Sequence, residues 1–172
     1  MAKTIMDFLE FESSATPEFK STVTKEIWTI NFWSTGQQLL NAIMDKARGK
    51  IFDTKLTFRS LPNACGYRDD GTLWYDPSYF KRTIFEPTQA TVVASNKTYV
   101  YLFHELVHYY HDLAGTYDKD AQGGTPEEEF RTVGIYQNAF EPLSENGLRK
   151  EAMLPRRPVS YTHLTLPTNR EV

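Results

Sequence analysis

The feature that most constrains this chain is the stretch Tyr99–Leu113. It is apolar along most of its length, yet it carries His104, Glu105, His108, His111 and Asp112. Asn96-Lys97 precedes it, and Gly115 follows where a helix-terminating glycine belongs. The pattern predicts one long, largely buried helix. On such a helix His104 and His108 are four residues apart and project from the same face. Two imidazoles fixed on one rigid element can hold a metal ion, with room left for a third protein ligand and a water. The competing reading is an ordinary core helix whose histidines find hydrogen-bond partners or solvent.

Glu105 sharpens the metal reading. His104-Glu105-Leu106-Val107-His108 is the His-Glu-x-x-His pattern of zincins. Beside the first histidine, Glu105 can take a proton from an attacking water while staying out of the metal's coordination sphere. Zn2+ is the expected ion. A third ligand must come from elsewhere, and three acids compete. Glu129 lies 129 − 108 = 21 residues past His108, a spacing that suits a glutamate on the following helix. Its neighbour Glu128 has another role available, because Thr125 and Glu128 form a capping box with Pro126 at the first helical position. Asp118, in Gly115-Thr116-Tyr117-Asp118, is the remaining candidate at 118 − 108 = 10 residues. Glu129 leads. His111 and Asp112 follow His108 too closely to complete a tetrahedral site, and His111 reads as a residue behind the ligands or at the surface.

The rest of the chain reads as a frame for that helix. Thr16-Pro17-Glu18 has the form of a helix start. Ile27–Trp33 is apolar and rich in β-formers, which predicts a buried strand. Thr35–Met44 predicts a helix stopped by Gly49, and Thr54–Ser60 an alternating strand. Asp69-Asp70-Gly71 predicts a turn leading into a strand at Thr72–Tyr75. Phe85–Ser95 is ambiguous between strand and loop. With 172 residues, 40% of them hydrophobic, residues 1–157 suit one domain. Net charge is −3 without a basic block, which argues against nucleic-acid partners. No apolar run is long enough to span a membrane, and Met1–Glu10 lacks the features of a signal peptide. The single cysteine, Cys65, lies in a turn-like stretch and reads as a structural thiol. Residues 158–172 have no consistent register and resemble translated sequencing-adaptor read-through, so they are expected to be a non-native tail.

Three ordered segments extend the pattern: Leu102-Phe103-His104-Glu105-Leu106-Val107-His108, Glu128-Glu129-Phe130-Arg131-Thr132-Val133-Gly134 and Glu145-Asn146-Gly147-Leu148-Arg149. Together they resemble the NleD-like zinc metallopeptidases, which include bacterial type III secretion effectors. Ser34-Thr35-Gly36-Gln37-Gln38-Leu39-Leu40 is a weaker match. The resemblance implies metal ligation by His104 and His108, Glu105 as general base and a third ligand from the Glu129 segment. It also implies a protein substrate, and delivery by a type III system into a host cell. The best-known effectors of the family clip host mitogen-activated protein kinases, a target that nothing in these residues encodes. Arg149 and Tyr161 match later family positions loosely. For Arg149 a helix salt bridge to Glu145 competes with oxyanion binding, and Tyr161 lies inside the suspect tail.

The fold expected is α+β and zincin-like: a small sheet packed on helices, with the Tyr99–Leu113 helix as the floor of a cleft. Thr54–Ser60 is the candidate edge strand for an extended substrate. The function expected is zinc-dependent endopeptidase. The alternative is a catalytically inactive zinc- or protein-binding module, which Glu105→Gln would separate from a peptidase. Oligomeric state is not encoded in any pattern seen here.

Overall fold

A computed structural model describes residues 4–48, 55–78, 97–120, 123–124 and 126–157. Thr16 starts the first long helix. Its hydroxyl accepts the Phe19 N–H at 3.2 Å, with Pro17 in the first turn. This helix, α1, spans Pro17–Phe32, so the strand expected over Ile27–Trp33 is part of a helix instead. Phe19, Val23, Ile27 and Ile30 are buried at helical spacing, while Trp28 and Phe32 are exposed. The β-branched residues favour a strand locally, but a one-sided stripe against the core decides the conformation. The chain turns at Trp33 into α2, Ser34–Arg48. Gly36 permits that corner, because a Cβ there would stand 2.0 Å from the Ile30 carbonyl oxygen. The start of α2 is capped from far along the chain: the Ser34 and Thr35 N–H groups donate to the Glu151 carboxylate at 2.6 and 2.8 Å.

Four short strands form one sheet: β1 (Leu9–Phe11), β2 (Leu56–Ser60), β3 (Cys65–Arg68) and β4 (Thr72–Tyr75). Their order is β1-β2-β4-β3, with β2 parallel to both β1 and β4, and β3 antiparallel to β4. Two expectations change here. β2 is an inner strand paired on both sides, so it has no edge to offer a substrate. The stretch around Cys65, read as a turn, supplies β3, which with β1 is an edge of the sheet among the described residues. Gly71, at φ 78°, makes the turn between β3 and β4. Leu56, Phe58, Leu73 and Tyr75 are buried. The Tyr75 hydroxyl donates to buried Glu26 at 2.6 Å, and the Thr98 hydroxyl donates to the same carboxylate, which joins α1, β4 and the start of the next helix.

That helix, α3, spans Tyr99–Leu113 as expected. Val100, Leu102, Phe103, Leu106 and Val107 are fully buried. Each contributes roughly 1.5–3 kcal/mol by leaving water. Gly115, at φ 69°, ends the helix, and the Thr116 N–H reaches back to the His111 carbonyl at 2.8 Å. A two-stranded ribbon, β5 (Lys119–Asp120) with β6 (Gly123–Gly124), leads to α4, Pro126–Val133. The last helix among the described residues, α5, spans Glu145–Glu151 and is capped by Ser144, whose hydroxyl accepts the Gly147 N–H at 3.2 Å. The architecture is mixed α+β, with α3 packed against α1, α2, β3, α4 and α5. Gly49, Phe85–Ser95, Thr125 and the segment 158–172, with Tyr161, lie outside the described residues.

Candidate metal centre

Helical geometry places His104 and His108 one turn apart, and the fold buries both. Their Nε2 atoms stand 3.1 Å apart. From α4, Glu129 brings Oε2 to 3.2 Å from His104 Nε2 and Oε1 to 2.9 Å from His108 Nε2. These three residues form a buried group that could hold a metal ion. Asp118 is not part of it. Glu128 stands behind it, on the far side of His108.

Each imidazole is turned by a carboxylate on its other nitrogen. His104 Nδ1 lies 2.9 Å from Glu145 Oε2, and His108 Nδ1 lies 3.0 Å from Glu128 Oε1. A carboxylate on Nδ1 fixes the ring and directs the Nε2 lone pair at the site. Both carboxylates are themselves held. Glu145, fully buried, receives Arg149 Nε at 2.6 Å and an Arg157 guanidinium nitrogen at 2.8 Å. Glu128 Oε1 also meets His111 Nδ1 at 2.5 Å and the Thr132 hydroxyl at 3.1 Å, and its Oε2 accepts the Asp118 N–H at 3.3 Å.

The electrostatics follow from this crowding of acids. Burial alone would lower the pKa of His108, but the charge of Glu129 and the hydrogen bonds to Glu128 and Glu129 outweigh it and push it up to about 10. His104 is raised for the same reasons, with Glu129 and Glu145 overcoming burial. Burial works against ionising Glu128, yet His108 and His111 pull its pKa down to about 2. Glu129 is held well below the usual range by the two histidines, and Glu145 by Arg157, Arg149 and His104, in each case against burial. The centre therefore draws positive charge, as protons or as a metal ion.

Glu105, next to His104 on α3, reaches toward β3. Its Oε2 accepts the Tyr67 backbone N–H at 2.7 Å, and its Oε1 lies 3.6 Å from Cys65 Sγ. Burial, followed by the Glu105 charge, pushes the Cys65 thiol up, which fits an inert structural cysteine. Beyond the strand, the Tyr67 hydroxyl donates to Asp112 at 2.5 Å. The Tyr117 ring sits edge-on to both Tyr67 and His108, with centroids 6.0 and 5.8 Å away. Burial and the charges of Glu128, Glu129 and Glu105 raise its phenol, so it stays protonated.

A model of the peptidase M91 family, described as effector protein, matches residues 6–160. The chain belongs to this NleD-like effector peptidase family. No curated protein and no solved structure matches it. As a member of an effector peptidase family it is a protease with a protein substrate. Among the described residues, no helix is long and apolar enough to cross a membrane.

Of the effector peptidase's sequence-derived candidates, His104, His108 and Glu129 come together, and Glu105 stands beside them on α3. Glu128, read as a capping residue, has its carboxylate in the network behind His108. Arg149 makes the expected salt bridge to Glu145. From the sequence Glu145 reads only as the partner of Arg149, and Tyr117 only as a neighbour of Asp118. One signal for Glu145 was available: an acid at the start of a helix, inside one of the three ordered segments.

Proposed function

We propose that this effector peptidase is a zinc-dependent endopeptidase of zincin type, with His104, His108 and Glu129 as metal ligands and Glu105 as general base. The supporting observation is the convergence of His104 Nε2, His108 Nε2 and the Glu129 carboxylate at separations of 2.9–3.2 Å. Ligands bound tetrahedrally to zinc at about 2.0–2.1 Å stand roughly 3.3–3.4 Å apart, so the residues fit the ion after a shift of a few tenths of an ångström. Two imidazoles and one carboxylate also match the donor set of catalytic zinc sites, which keep a fourth position open.

Bound there, zinc would supply Lewis-acid chemistry, polarising a carbonyl and acidifying a water. The chain's residues do the rest. Glu105 accepts the proton of the attacking water and returns it to the leaving amine. The Tyr67 N–H fixes the orientation of that carboxylate. Glu145 and Glu128 keep both imidazoles aimed at the site. β3, the edge strand alongside α3, is the element to which an extended protein substrate can add by main-chain pairing. Secretion into a host cell fits the effector family.

The test is the metal content of purified wild type beside His108→Ala, Glu129→Ala and Glu105→Gln. About one zinc per wild-type chain is expected, lost or weakened in the first two variants and kept in Glu105→Gln, which should be inactive. Well-folded wild type that takes up no added zinc would rule the reading out. Full turnover by Glu105→Gln would remove Glu105 from its role.

A further inference from the structure

The loop after α3 holds one side chain with no part in metal ligation or in proton transfer by Glu105. Tyr117 lies between the edge strand and a metal-ligand candidate, its ring against Tyr67 of β3 on one side and His108 of α3 on the other. Both of its neighbours are pinned. The Thr116 N–H donates to the His111 carbonyl at 2.8 Å. Arg131 of α4 donates to the Thr116 carbonyl at 3.0 Å and to its hydroxyl at 3.2 Å. The Asp118 N–H donates to Glu128. The loop is thus tied to the two helices that carry His104, His108 and Glu129, and the half-buried ring is held in place. Tyr67 spends its hydroxyl on Asp112, whereas the Tyr117 hydroxyl has no hydrogen-bond partner among the described residues. A positioned, protonated phenol with a spare O–H, beside a site that adds water to a carbonyl, is a donor waiting for an acceptor.

We propose that the Tyr117 hydroxyl is a catalytic hydrogen-bond donor to the oxyanion that forms when water adds to the scissile carbonyl. This rests on the peptidase reading above. In the step, the water oxygen bonds to the carbonyl carbon, the π pair moves onto the carbonyl oxygen, and the water's proton passes to Glu105. The oxyanion accepts from Tyr117. When the C–N bond breaks, the pair returns to re-form the carbonyl and Glu105 protonates the departing amine. Tyr117 keeps its proton throughout.

Tyr117→Phe removes the donor and keeps the ring between Tyr67 and His108. The substrate is a peptide spanning a bond found by sequencing new N-termini after zinc-loaded enzyme digests a cell lysate. The second probe is the phosphinic analogue of that bond, whose tetrahedral oxygen mimics the oxyanion. Tyr117→Phe should lower kcat roughly 10²-fold with KM nearly unchanged. By calorimetry it should bind the phosphinic peptide about 10²-fold more weakly, and in a Glu105→Gln background it should bind the uncleaved peptide as before. Zinc content and circular dichroism should match wild type. Equal kcat and equal phosphinic affinity would overturn the role of Tyr117 alone. So would loss of zinc or of fold, which would make the residue a packing element. Zinc-loaded wild type that neither cleaves any lysate protein nor binds phosphinic peptides would overturn the peptidase reading and this proposal together.

Discussion

Glu145→Gln is the most informative substitution behind the candidate ligands. The wild-type carboxylate is completely buried and serves three groups at once: His104 Nδ1 at 2.9 Å, Arg149 Nε at 2.6 Å and Arg157 at 2.8 Å. Glutamine keeps the shape and one acceptor but replaces the other oxygen with an N–H₂ group. That group cannot accept from His104 and Arg157, and it confronts them or Arg149 with a donor. Arg149 is only 1% exposed, so its charge cannot escape to water. Removing one partner of a buried ion pair costs about 3–5 kcal/mol. Arg149 keeps the Pro155 carbonyl at 3.1 Å, which places the expected loss near the lower end, about 3 kcal/mol. Metal affinity should fall as well, by about 10–100-fold, because His104 loses the group that fixes its ring and raises its basicity. Two assays separate these effects. Urea unfolding of metal-free protein reads the ion-pair loss, and competition against a chromophoric chelator reads zinc affinity. The control is Glu151→Gln, which removes a half-exposed charge that caps α2 and touches none of the histidines, and it should leave zinc affinity unchanged. If Glu145→Gln binds zinc within about two-fold of wild type while stability falls as expected, Glu145 belongs to the fold and not to the metal centre.

Other outcomes follow from the same geometry. His108, raised to about 10, carries a proton at pH 7 that a metal ion must displace. Zinc binding at pH 7 should therefore release protons, measurable by calorimetry in buffers of different ionisation enthalpy. The raised pKa also fixes a sign for metal-free protein. The stability contributed by His108 is fully present below its unfolded value of 6.5 and is lost as pH rises from there through about 10, so urea midpoints should drop across that window. Glu128, lowered to about 2, has the opposite sign. Its contribution is present above the unfolded value of 4.5 and is lost as pH falls toward 2, so Glu128→Gln should flatten the acid limb of the same titration. Gly36→Ala should cost about 3 kcal/mol in a urea melt, at the upper end for overpacking, because the new methyl meets the backbone oxygen of Ile30, not a movable side chain. A cost under 1 kcal/mol would mean that the corner between α1 and α2 opens more easily than its contacts imply.

What could be read from the sequence follows the range of the physics. The α3 helix was legible because its information is local: fifteen residues of apolar pattern, a histidine pair at helical spacing and a terminating glycine. Glu129 was nameable from spacing, but only as one of three acids. Choosing among them depends on where α4 docks, and docking is a sum of many weak apolar contacts with no local signature. Glu128 shows the ambiguity most clearly. An acid three residues after Thr125 satisfies a capping box, and the same acid on α4 meets two histidines from α3; a sequence cannot say which partner it faces. The strand expected over Ile27–Trp33 failed for a related reason. Ile27, Ile30 and the aromatics around them satisfy a strand's preferences, and only the burial of Phe19 and Val23 in register with them shows that the stripe repeats every three to four residues.

The same reasoning explains why the edge strand was misplaced. Thr54–Ser60 alternates well, but alternation reports which face of a strand is buried and not whether its two edges are paired. β3, the edge beside α3, contains Cys65, Gly66, Tyr67 and Arg68, none of them fully buried, so it carries little hydrophobic pattern to detect. Its value lies in the backbone: the Tyr67 N–H points at Glu105, while Leu73 of β4 lies beside Tyr67 on the other side. A strand that uses one edge for its sheet and offers the other to the helix bearing His104 and His108 needs few apolar side chains. A weak strand pattern next to a strong metal-helix pattern is therefore what a substrate-facing edge should look like. On that argument, replacing Cys65 with proline, which removes an N–H from the outer side of β3 and none from its pairing with β4, should leave the sheet's core intact while impairing cleavage of extended substrates far more than zinc uptake. Equal loss of both in a folded Cys65→Pro variant would show that β3 supports the metal helix and has no separate part in holding the substrate.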